Sequence, residues 1–145
     1  MDTSSKLFRT SAAVLSVGGL CWVVKFVVIA ATDGALTGAP DAVTGVLYLA
    51  GVALMALGLA GLGVAVLSGR HPLVRVLAAA GGLVLWAVSY TVIEGVAQSI
   101  VGDTEPVWLG EEIGILLTGA VLMTLGLLMV RRRSGRRQPV PAAAV

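Results

Sequence analysis

Four long apolar runs alternate with short polar breaks along the chain. A helix needs about 20 apolar residues to cross the roughly 30 Å hydrocarbon core of a bilayer. The first run covers about residues 10–32 and is interrupted only by Lys25. The second covers about 43–67 and carries no charge. The third covers about 73–101 and contains Glu94, and the fourth covers about 107–130 with Glu111 and Glu112 near its start. The breaks carry turn chemistry: Asp33-Gly34, Gly38-Ala39-Pro40, Ser68-Gly69, His71-Pro72, and Gly102-Asp103 followed by Pro106. Lipid offers no hydrogen-bond partner to an open strand edge, so the pattern predicts helices. The expected fold is an all-α, polytopic four-helix transmembrane bundle. Residues 1–9 form a short terminus, and residues 131–145 a basic, disordered tail.

Composition agrees with this pattern. Of the 145 residues, 57% are hydrophobic and 12% charged, about half the charged share of a soluble domain. Too little polar surface is present to cover a water-soluble globule of this size. The single cysteine, Cys21, excludes an intramolecular disulfide, and the single histidine, His71, excludes a haem held by two histidines. Lys25 in the middle of the first apolar run argues against a cleaved secretion signal.

Charge segregation predicts orientation. Lys6 and Arg9 precede the first run, Arg70 and Arg75 flank the second break, and Arg131, Arg132, Arg133, Arg136 and Arg137 follow the fourth run. The other two breaks hold Asp33, Asp41, Asp103 and Glu105 and no basic residue. By the positive-inside rule both termini face the cytoplasm of a cell membrane, with the terminal arginines against anionic lipid headgroups. Immediately after a span, that arginine run reads as a topology anchor and not as a nucleic-acid patch.

Two halves of the chain resemble each other. Gly18-Gly19-Leu20 precedes Trp22, and Gly81-Gly82-Leu83 precedes Trp86. Residues 54–59 read LMALGL and residues 122–127 read LMTLGL. The halves are read either as parallel repeats about an axis along the membrane normal or as chance likeness between segments drawn from a few residue types. Small residues on spans two, three and four suit close helix packing, within one bundle or between copies or subunits.

Four ionisable groups share one depth. At about 1.5 Å per residue, Glu94 stands about 28 Å beyond Arg75, Glu111 about 30 Å and Glu112 about 28 Å from Arg131, and Lys25 about 24 Å beyond Arg9. The level is near the outer edge of the hydrocarbon. Tyr48 and Trp108 fall slightly higher, where an aromatic belt belongs. Charged groups within a span face the protein interior, because an unpaired charge against lipid is costly. Lys25 is therefore expected to pair with Glu94 or Glu111, leaving carboxylates free to take a cation or a proton. Helical spacing sets Tyr90, Glu94 and Gln98 on one face. These groups are expected to line a crevice open to the outside, with Trp22 and Trp86 as its apolar floor. A purely structural reading stands beside this one: Lys25 snorkels outward, Glu111 and Glu112 sit where a helix dipole favours negative charge, and Glu94 fixes register.

The sequence lacks a His-Glu-x-x-His zinc site and a phosphate-binding loop, so no catalytic residue, metal or cofactor is assigned. The expectation is a small transport or ligand- or ion-binding membrane protein. An accessory subunit of a larger membrane complex is the alternative, and an enzyme acting on a lipid or isoprenoid a distant third.

Overall fold

A computed structural model describes residues 3–101 and 107–135. Four helices follow one another: α1 (Thr3–Ala31), α2 (Ala39–Val66), α3 (Pro72–Val101) and α4 (Val107–Gly135). Among the described residues there is no strand. Each helix is long and apolar enough to cross a membrane.

Helix structure extends beyond the apolar runs at the basic ends. α1 begins at Thr3, ahead of the first run, and α4 continues through Arg131 and Arg132 to Gly135. The tail expected to lose structure from Arg131 onward is thus helical at its start. Long basic side chains are good helix formers, and a helix satisfies its own backbone whatever surrounds it. Arg136, Arg137 and the rest of the expected tail lie outside the described residues.

The helices form a closed ring. α1 packs on α2 and α4, and α3 packs on the same two from the opposite side. The α1 seams rest on absent side chains. A Cβ on Gly19 would lie 2.4 Å from the Gly119 carbonyl oxygen, and one on Gly58 would lie 2.8 Å from the backbone of Leu15. Such contacts are backbone against backbone, so they gain dispersion over the length of the pair and tolerate no added atom. Leu15, Trp22, Met55, Leu62, Ile115 and Leu122 fill the space between.

The α1–α2 connection is tied down at one point. Asp33 (φ 51°) and Gly34 (φ 75°) both turn through the left-handed region. Gly34 has a second reason to be glycine, since a Cβ there would lie 2.3 Å from the Trp108 ring. That ring also packs on Phe26, with centroids 6.2 Å apart.

Candidate functional site

The charged groups of the apolar runs meet at one end of the bundle. Lys25 is buried, at 7% exposure, and its Nζ donates to Glu112 Oε2 across the α1–α4 seam. The ammonium also sits 5.6 Å from the Tyr48 ring centroid, an arrangement that attracts a cation to the π face. The expected partners of Lys25 were Glu94 and Glu111, and the pairing with Glu112 corrects that. The reason is helical phase. Glu112, Ile115, Gly119, Leu122 and Gly126 fall at spacings of three and four, and this stripe of α4 faces α1: Gly119 abuts Gly19 and Trp22, and Gly126 abuts Ser16 and the Ala12 carbonyl. The Glu111 side chain lies outside the described residues.

Glu94 meets α4 on a different face. Its carboxylate leans on Gly114, where a Cβ would lie 2.2 Å from Oε2. Oε1 accepts a hydrogen bond of 3.1 Å from Gln98 Nε2, one turn along α3. Oε2 is buried and has no hydrogen-bond partner among the described residues. One turn past Gly114, Thr118 is fully buried and its hydroxyl is likewise without a partner. Buried polar atoms are nearly always paired, so the unpartnered carboxylate oxygen of Glu94 stands out as an acceptor without a donor.

Aromatic rings connect Glu94 to the ion pair. Trp22 stacks on Tyr48 at 5.6 Å with an interplanar angle of 2°, and meets Tyr90 edge-on at 5.6 Å. Tyr90 stacks in turn on Trp86 at 6.3 Å. The indole of Trp22 donates to the Tyr48 carbonyl at 3.1 Å, which fixes the plane of the stack. Tyr90 stands one turn before Glu94 on the same face of α3.

The structure thus brings together Lys25, Glu112, Glu94, Tyr90 and Trp22, with Trp86 at the end of the stack. Gln98 is exposed and reaches the cluster through Glu94 alone. Lys25 is buried and not lining an open crevice, because the Tyr48 ring, expected in the outer belt, lies against its ammonium. Tyr48 is the residue that sequence reasoning misplaced, as a member of the outer belt. Its counted level stands roughly 9 Å farther out than that of Lys25, so the sequence carried no signal that places its ring on the ammonium.

Charge within the described cluster does not balance: Lys25 contributes one positive charge, Glu94 and Glu112 two carboxylates. An excess carboxylate among aromatic and aliphatic groups is costly unless a cation or a proton offsets it. Among the described residues no group of three or more His, Cys, Asp or Glu gathers to hold a metal. Compared with known protein families, with curated proteins and with solved structures, the chain matches none.

Proposed function

We propose that this chain is a multi-pass protein of the cytoplasmic membrane, with both termini inside, that binds and conducts a small cation, the proton included, at Glu94. The single observation that carries the reading is the buried, unpartnered Oε2 of Glu94, held against Gly114, two residues along α4 from the Glu112 of the ion pair. Lys25 and Glu112 act as a fixed pair that ties α1 to α4. Glu94 sits on α3, the helix with the least buried surface. It is the acceptor whose charge the cluster leaves uncompensated. Tyr48 and Tyr90 supply hydroxyls at the same level, and Gln98 orients the carboxylate from the exposed side. The acidic breaks at that end (Asp33, Asp41, Asp103 and Glu105) raise the local concentration of cations.

Vesicles reconstituted with the chain and loaded with a pH-sensitive dye test this reading, with Na⁺ and K⁺ gradients as separate arms. Glu94→Gln removes the charge at nearly constant shape and is expected to abolish the flux while leaving helix content unchanged. A flux that survives Glu94→Gln, or no flux for any of the three ions, overturns it. Orientation is checked independently in a Cys21→Ser background. An impermeant thiol reagent on intact cells should label Ala35→Cys and spare Ser134→Cys.

A second reading has its own support. Ala97 is the sole buried residue of α3, so most of that helix faces outward. Such a face fits an accessory subunit that docks on a larger membrane complex. A stoichiometric partner retained in mild detergent, together with intact assembly in Glu94→Gln, would favour it.

A further inference from the structure

At the arginine end of the bundle, away from Glu94, a cavity of about 400 Å³ opens between the helices. All four helices wall it, through Phe8 of α1, Leu62 and Val66 of α2, Gly81 and Leu85 of α3 and Met129 of α4. Its volume falls in the range of small-ligand sites, roughly 300–1,000 Å³. The backbone holds it open. A Cβ on Gly63 would lie 2.4 Å from the Ala78 carbonyl oxygen, and one on Gly82 would lie 2.5 Å from that of Leu59, so α2 and α3 already touch. A Cβ on Gly81 meets nothing within 4 Å.

A second chamber, of about 360 Å³, lies nearer the helix ends. Its walls include Ser4, Leu7, Ser68, Gly69 and Arg75. These residues stand nearer the basic end than the apolar walls: Leu7 before Phe8 on α1, Ser68 after Leu67 just past the end of α2, and Arg75 one turn before Ala78 on α3. The two chambers therefore stand in series along the helices, the inner one lined by hydrocarbon and the outer one by hydroxyls and a guanidinium. Arg75 is exposed and forms no ion pair with any described residue. A guanidinium in that position matches a phosphodiester through two parallel hydrogen bonds.

We infer that the two chambers join as one amphipathic slot and hold one anionic phospholipid from the leaflet on the arginine side, an acyl chain in the apolar chamber and the phosphate on Arg75. The inference rests on the membrane reading above and not on the cation site. A single flexible chain suits a chamber walled by four helices, whereas a partner helix is too wide for it. The neighbouring charge selects an anionic headgroup over a zwitterionic one.

The full chain is reconstituted in vesicles of equal phosphatidylglycerol and phosphatidylcholine, checked for flotation with them, and examined by native mass spectrometry from mild detergent. The wild type is expected to retain one phosphatidylglycerol, with a preference of about tenfold over phosphatidylcholine. Gly81→Trp fills the apolar chamber and should lower retention by at least about tenfold. Gly81→Leu should do so less, both with wild-type helix content. Arg75→Gln should keep a lipid but bring the headgroup preference to near parity, and Glu94→Gln should change neither. A chain that floats but retains no lipid, a retained lipid without headgroup preference, or retention indifferent to both Gly81 substitutions overturns the inference and leaves the membrane reading standing. A chain that fails to float overturns both.

Discussion

α1 and α3 are alike in polarity and opposites in packing. Each is about equally apolar, with a mean hydropathy of 2.2 and 2.0 in its most apolar stretch, yet 44% of that stretch is buried in α1 and none of it in α3. Each carries a Gly-Gly-Leu followed by a tryptophan. In α1 both glycines are spent on backbone contacts, Gly18 against Met55 and Gly19 against Gly119. In α3 only Gly82 is so used, and Gly81 faces open space. Trp22 is fully buried with its indole donor satisfied, while Trp86 is half-buried and its donor has no partner. In an apolar surrounding, burial is decided by whether two backbones can approach and not by hydropathy. α1 is therefore the axis of the bundle. α3 is the helix least committed to it, and both the unpartnered Glu94 oxygen and the amphipathic slot lie along α3.

The sharpest way to break the contrast is to add a side chain to each glycine pair. Gly19→Leu places atoms inside the α4 backbone and is expected to cost more than about 4 kcal/mol, or to prevent folding. Gly81→Ala, at the open glycine of the α3 pair, should instead stabilise by up to about 1 kcal/mol, the helix-propensity difference. Thermal unfolding in detergent, followed by circular dichroism, reads both. Equal losses at the two sites would show that α3 is as tightly packed as α1.

Truncating the tryptophans comes next. Trp22→Ala should cost about 3–5 kcal/mol as a buried aromatic deletion. Trp86→Ala should cost less than half of that, and a reversed order in chemical denaturation would dissolve the distinction. The ion pair gives a third, similar test. Lys25→Ala leaves Glu112 without its partner and should cost about 3 kcal/mol. Removing both groups in Lys25→Ala/Glu112→Ala should recover part of that loss. A double variant no more stable than Lys25→Ala would mean that the two groups act separately. The smallest stability effect is expected at Glu94→Gln, within about 1 kcal/mol, because an amide keeps the contact with Gly114 and relieves an uncompensated charge. A large loss there would make Glu94 a structural strut of the α3–α4 seam.

Much of the architecture was legible in the sequence. Four apolar runs of sufficient length, separated by Gly, Pro and Asp breaks, specify four helices, and short connections make them antiparallel neighbours. The common height of Lys25, Glu94 and Glu112 was legible too, because helical rise is a constant. Partner choice was not. Glu111 and Glu112 differ by one residue and hence by about 100° around the helix axis. Only the contact of Gly119 with Gly19 decides which stripe of α4 faces α1. The same holds for Tyr48, whose depth could be counted but whose place against Trp22 and Lys25 depends on the rotation of α2.

By itself the sequence determined what repeats along one dimension: helix number, length, polarity and the level of each charge. Tertiary structure alone decided what depends on rotation about the helix axes. Those outcomes are the pairing of Lys25 with Glu112, the exposure of α3, the orphaned oxygen of Glu94 and the slot beneath Arg75. An apolar helix with little amphipathic bias carries no preferred face, so its phase is set by the close fit of glycines and small residues on its neighbours.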